Sequence, residues 1–296
     1  MQNNITKKQH YVPQAYLRGF SVDGKRVFAF NNKTNKTYDS PIPIESICRK
    51  DYLYEIKNNK NKIITPNYIE NVLCNLEGQF AKYRKKLEAK AFLKENFKTS
   101  SFLSSDEKAF WYVYTAIQLM RLPTILNAAE QLSNELLEKE ITDNEAHMIA
   151  IAQCLPFFRE IKQGDSNALL AVLPPIEKMT ISVGVDTSES LFTSDCPICC
   201  YAPNSSDGVF ERVEFPVSSS LIMCFLGGAM RDEYKRNRLF PLEEDDVTAI
   251  KEAIVYSSIS HVFSKRPFSK REIDMIRRVR RDKEEDITTG RIDLSI

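Results

Sequence analysis

From Asp106 to Leu122 the chain reads as a helix that is apolar around almost its whole circumference, through Phe110, Trp111, Val113, Tyr114, Ile117, Leu119 and Met120. A helix with no polar face belongs in an interior, so other elements must be laid around it. Ser104-Ser105-Asp106-Glu107 supplies a capping box at its start. Near its end, Gln118 and Arg121 share a face with Phe110 and Tyr114. A buried guanidinium needs a carboxylate or phosphate partner, because stranding the charge costs several kcal/mol, roughly. The expected internal partner is Glu77 or Glu70, with Asp195 next; the functional alternative is a substrate phosphate.

The elements around this helix fall into blocks. Arg26 to Phe30 alternates as a strand, Asn31 to Lys36 is a polar turn, and Thr37 to Asp39 follows. Tyr52 to Ile56 and Lys62 to Ile64 predict a second hairpin. Thr65-Pro66 predicts an N-cap and first helical position. The helix beyond carries one stripe of Ile69, Val72, Leu73, Leu76, Phe80, Tyr83 and Leu87, with Glu70, Glu77 and Arg84 in line along its edge. Amphipathic helices are expected at 124–140 and 145–161, with a shorter one at 165–172, before Pro174-Pro175 breaks the pattern. Strands are expected at 179–185, 190–193, 209–215 and 221–226, then helices at 243–258 and from Ser269 to about Arg281. This order predicts an α+β protein rather than a doubly wound sheet. A single domain over 1–296 is expected, its two strand clusters joined in one mixed sheet backed by helices.

Composition and missing motifs narrow the function. A net charge of +1 gives no global pull toward polyanions. Seven cysteines, an odd number, and no signal peptide favour a reducing, cytoplasmic setting. The longest apolar stretch, Leu221 to Met230, falls short of the ~20 residues that span a bilayer, so no membrane partner is expected. There is no P-loop, G-x-G-x-x-G, G-x-S-x-G or H-E-x-x-H. Glu233-Tyr234-Lys235 has a nuclease-like E-x-K spacing in surroundings too charged for a core strand. Cys196-Pro197-Ile198-Cys199 is half a zinc site without its second half, so no zinc is expected. Lys265, Arg266, Lys270, Arg271, Arg277, Arg278, Arg280 and Arg281 form a basic tail that could meet phosphates. Its plain reading is a solvated helix face, self-paired with the acidic run after it.

Near the amino terminus, Lys7-Lys8-Gln9-His10-Tyr11-Val12-Pro13-Gln14 runs into Tyr16-Leu17-Arg18-Gly19-Phe20. Tyr11, Val12, Tyr16, Leu17 and Phe20 would be costly to leave exposed, so this stretch is expected to pack on the helices. It resembles the opening of a largely bacterial family of unknown function, domain-of-unknown-function family 4238, which begins with a variant of QHYVPQ-x-YL-x-x-F. Later segments are similar to that family too: Ile69-Glu70 and Leu76-Glu77, the Q-x-x-R-x-P element from Gln118 to Pro123, and Thr193-Ser194-Asp195-Cys196-Pro197. Phe215-Pro216-Val217-Ser218 resembles a later element. The resemblance spans about 7–258, leaving 259–296 as a basic extension. It implies no established reaction, although similar proteins occur among bacterial mobile-element and defence genes.

Two functions fit these residues. In the first, a phosphodiesterase or nuclease uses His10, Glu70, Glu77 and Asp195 as acid–base groups or ligands for a divalent cation such as Mg²⁺ or Mn²⁺. Gln14, Gln118, Arg121 and Ser194 would then bind the nucleic-acid substrate. In the second, a non-catalytic binding or regulatory module uses the same residues as a structural polar network. For Asp195 alone, at a strand end before a proline, turn capping competes with catalysis.

Overall fold

The computed structural model describes residues 5–55, 57, 60, 62–93, 102–124, 179–201, 211–227 and 237–289. The helices expected at 124–140, 145–161 and 165–172, the Pro174-Pro175 break and the E-x-K segment lie wholly or almost wholly outside these residues.

Twelve strands and five helices are described. In chain order they are β1 (Lys8–His10), α1 (Gln14–Leu17), β2 (Arg26–Asn31), β3 (Lys36–Thr37), β4 (Ile42–Pro43), β5 (Arg49–Asp51), α2 (Tyr68–Ala91) and α3 (Ser105–Met120). Then come β6 (Thr180–Val185), β7 (Thr193–Ser194), β8 (Cys199–Tyr201), β9 (Arg212–Ser218), β10 (Leu221–Leu226) and β11 (Arg238–Pro241). The last elements are α4 (Glu244–Ser257), β12 (His261–Ser264) and α5 (Lys270–Thr288). The fold is α+β, as the order of patterns predicted.

The strands make three sheets rather than one. One has the order β11-β6-β10-β9-β8 and is mixed, because β11 runs parallel to β6 while the other pairs are antiparallel. A second has the order β3-β2-β12-β7, with β4 beside β2. The early and late clusters therefore do meet, but through β12, which lies between β2 and β7. The third is a small pair, β1 with β5.

Several local expectations change. The second hairpin reduces to one bridge between Lys57 and Ile63 among the described residues. The long helix starts at Tyr68, after Asn67 in the left-handed conformation, and not at Pro66. Its first amides are served from a distance: the Asn67 N–H donates to the buried Glu55 carboxylate. Ser190 is not in a strand, because its N–H and hydroxyl both donate to Asp186. The Ser104–Glu107 capping box of α3 is present.

The core gathers around α3. Trp111 and Tyr114 are buried, and Tyr114 stacks on Phe80 of α2 at 4.4 Å between ring centroids. From α1, Tyr16 stacks on Phe215 of β9 at 5.2 Å. Its hydroxyl donates to the Pro216 carbonyl at 2.7 Å and also meets Thr193 Oγ1 at 2.7 Å. Val12, Tyr16, Leu17 and Phe20 are fully buried, so the amino-terminal stretch is part of the core. At roughly 1.5–3 kcal/mol per large apolar side chain, this burial holds a terminus that would otherwise fray.

The basic tail is largely spent on acids. Across the α4–α5 contact Arg271 pairs with Glu244 and Arg278 with Glu252, while the buried Glu272 takes Lys251 and Arg266. Lys265 pairs with Glu189. No described helix is long and apolar enough to cross a membrane.

Candidate functional site

The first site residues are set by backbone pairing. β1 pairs with β5, and the register puts Gln9 opposite Lys50. The Gln9 side chain is fully buried and spans the gap to the next segment: Nε2 donates to Glu55 Oε1 at 2.7 Å, and Oε1 accepts the Tyr54 N–H at 2.6 Å. This amide clamp fixes Tyr54 below His10.

Arg121 sits just past the end of α3 and is 1% exposed. Its guanidinium reaches three acceptors on separate elements. Nε donates to the Tyr54 hydroxyl at 3.1 Å, Nη2 to the His10 carbonyl at 2.6 Å, and both Nη1 and Nη2 to Glu77 Oε1 at 3.1 Å. The Tyr54 hydroxyl donates in turn to the His10 carbonyl at 3.3 Å. One turn earlier on α3, Gln118 Nε2 donates to the Tyr11 carbonyl at 2.9 Å. The carboxylate partner of Arg121 is thus Glu77, one of the two first expected, and the guanidinium is committed to acceptors within the fold.

Glu77 and Glu70 form the open side of this cluster. The Glu77 side chain is 20% exposed, and its second oxygen, Oε2, accepts no hydrogen bond from a described residue. Burial raises the Glu77 carboxyl above its ordinary value, against the pull of Arg121. Glu70 is half-buried with no hydrogen bond or ion pair among the described residues. Burial, with the Glu77 charge second, pushes its pKa up to about 7.

His10 contributes through its backbone. Burial, then Arg49 and Arg121, lower its ring to about 4, so the imidazole is neutral at neutral pH. Its Nε2 is buried without a hydrogen-bond partner among the described residues, as are Gln118 Oε1, Tyr114 Oη and Thr115 Oγ1 nearby on α3. Buried polar atoms are nearly always paired, so this concentration of unpaired ones singles out the region between the amino-terminal segment, α2 and α3.

The other expected site residues direct their hydrogen bonds to other groups, although Asp195 lies close enough to Tyr11 to act on its hydroxyl. Asp195 is 2% exposed, and its two oxygens accept the backbone N–H groups of Ile259 and Ser260 at 2.9 and 2.7 Å. Ser194 closes a local turn, donating to the Cys196 carbonyl and accepting the Cys196 N–H. No hydrogen bond or ion pair among the described residues joins Asp195 or Ser194 to His10, Glu70, Glu77 or Arg121. Gln14, half-buried on α1, makes no side-chain hydrogen bond to a described residue. Sequence reasoning missed Tyr54, Glu55 and Tyr114; a tyrosine in an apolar run carries no signal of where its hydroxyl will point.

Among the described residues no group of three or more His, Cys, Asp or Glu side chains is arranged to hold a metal ion. Within this cluster, the Glu70 carboxyl and Glu77 Oε2 make no hydrogen bond to a described residue. Cys196 and Cys199 are buried, and burial pushes both thiols up to about 12, far from the thiolate that ligation needs.

The amino-terminal motif, the glutamates of α2 and the Gln118–Arg121 pair are thus one spatial cluster, and residues 8–268 match the family described as Protein of unknown function (DUF4238). The chain belongs to DUF4238. No curated protein and no solved structure matches it at a significant level. The DUF4238 match runs past Ser258 and takes in β12, the strand at the centre of the second sheet.

Two shifted groups give this DUF4238 protein opposing pH dependences. Glu70 holds its proton more tightly when folded, so its stabilisation is full below about pH 4.5 and lost as pH rises through about 7. His10 holds its proton less tightly, so its stabilisation is full above about pH 6.5 and lost as pH falls through about 4. Between these limits the slopes oppose each other. Glu70→Gln is therefore expected to raise stability at pH 8 and to expose a loss on acidification from pH 6.5 to 4.5. Urea titrations across that range check it; a profile unchanged from wild type would show that Glu70 titrates normally.

Proposed function

We propose that the protein is a hydrolase cutting phosphodiester bonds in nucleic acid, with Glu70 as the group that moves the proton. The observation that carries this reading is an unpaired, half-buried Glu70 beside Glu77, whose charge is anchored by Arg121. A carboxyl poised near neutrality both takes and returns a proton at working pH, which is what general acid–base catalysis needs. Burial and the neighbouring Glu77 both favour the protonated form of Glu70. A divalent cation, if used, would find Glu70 and Glu77 Oε2 as its protein oxygens. Arg121, Asp195 and the His10 ring have no direct part in this reading. A defence role rests on the family resemblance alone. The six free cysteines among the described residues support a reducing, cytoplasmic setting.

The test is cleavage of single-stranded DNA, duplex DNA and RNA with Mg²⁺, with Mn²⁺ and with chelator. Glu70→Gln is expected to lower the rate by about 10²–10⁴-fold while leaving the protein folded. Equal cleavage by Glu70→Gln, or none by folded wild type on any substrate, would remove the hydrolase reading.

A second reading, a non-catalytic binding module, is favoured by the inward commitment of Arg121 and Asp195 to hydrogen bonds within the fold. It predicts a wild type that retains ligand without turning it over.

A further inference from the structure

Two turns beyond Glu77 on α2, Arg84 is 8% exposed yet lacks the partners that Arg121 has. Its Nε is buried and unpaired. No described residue accepts a hydrogen bond from its guanidinium, and its one ion pair, to Glu88, is a loose 3.8 Å. Stranding a guanidinium in this way is costly. A second cation aggravates it: exposed Arg18, just after α1, lies close enough to act on the Arg84 charge. Glu77 is also within reach of Arg18.

The backbone is shaped to keep Arg84 there. A Cβ on Gly19 would come within 2.3 Å of Arg84 Nη1 and 2.7 Å of the Val217 carbonyl oxygen. The missing side chain lets the guanidinium lie flush against the chain beside Arg18. A third donor stands close by. Tyr114 is 1% exposed, its hydroxyl has no partner, and it lies near enough to Arg84 for each to influence the other's charge.

We infer that Arg84 and Arg18, with the Tyr114 hydroxyl, form a binding site for a phosphate group. Two guanidiniums bring forked donors from different elements, and the phenol adds a single one. Donors supplied from three separate supports suit a tetrahedral oxyanion better than a planar carboxylate. The anion would relieve the repulsion between the arginines and pair the orphaned Nε and hydroxyl. Because Glu70, Glu77 and Arg84 follow one edge of α2, the site also names the group a substrate would carry. That link rests on the hydrolase reading; phosphate capture does not.

The experiment is calorimetric titration of the full chain with inorganic phosphate, and separately with a short oligonucleotide bearing or lacking a 5′-phosphate. Wild type is expected to bind, and Arg84→Met and Arg18→Gln each to weaken binding at least tenfold. Binding of inorganic phosphate identifies a free-anion site; binding only of the phosphorylated oligonucleotide identifies a nucleic-acid end. Either supports the inference. Arg18 is exposed, so its variant folds and decides the matter even if Arg84→Met does not. No binding by wild type, or full binding by Arg18→Gln, overturns the phosphate site. Neither result bears on whether Glu70→Gln loses cleavage, so the two proposals fail separately.

Discussion

Arg121→Ala will destabilise the protein by about 3–5 kcal/mol, the usual cost of removing one partner from a buried ion pair. Three acceptors lose a donor at once: Glu77 Oε1, the Tyr54 hydroxyl and the His10 carbonyl, which keeps only its longer bond from Tyr54. Because Arg121 is also among the largest fully buried side chains, the change leaves a void beside α3 as well. The loss is structural in origin, since these contacts tie β1, the Tyr54 segment and α2 to the end of the central helix. Arg121→Lys should recover little, because an ammonium cannot span the three acceptors as a planar fork does. Urea unfolding of wild type and both variants measures the effect. A loss under 1 kcal/mol, or full recovery by lysine, would show that Arg121 is not the clamp described.

Asp195→Ala will cost about 1–3 kcal/mol, because it removes the buried acceptor of two part-buried backbone N–H groups, each hydrogen bond contributing roughly 0.5–1.5 kcal/mol. Those donors, Ile259 and Ser260, lead into β12, whose pairing with β2 and β7 holds the second sheet together. Burial raises the Asp195 carboxyl above its ordinary value, and the two N–H groups counter that rise. A catalytic aspartate on the surface would behave differently, with stability nearly unchanged and activity lost. Thermal denaturation and amide exchange of the 258–264 segment separate the cases. If Asp195→Ala melts with wild type and exchange at Ile259 and Ser260 stays slow, the anchoring role is wrong.

Much of the architecture was legible before any coordinates. Periodicity located α2, α3, α4, α5, β2, β6 and β10, because a buried stripe or alternating run is written directly in residue order. The need of Arg121 for an anionic partner, with Glu77 or Glu70 as the first internal candidates, followed from one rule about buried charge. The density of apolar residues from Tyr11 to Phe20 was enough to predict a packed terminus. Short polar strands were not legible: β1, β5 and β12 hold three or four residues each and exist only because distant backbone pairs with them.

The site divides in the same way. Residue order alone put Glu70, Glu77 and Arg84 on one edge of a helix and required an anion for Arg121, an internal carboxylate or a substrate phosphate. Only tertiary structure decided which groups stayed free, since hydrogen-bond partners come from segments far apart in the chain. It turned His10 toward Arg121 by its carbonyl and committed Asp195 to a loop more than sixty residues away. It also left Glu70 unpaired and set Arg84 against Gly19, with Arg18 beside it. Charge and spacing determine what a side chain requires, but burial and the reach of neighbouring backbone decide whether the fold supplies it.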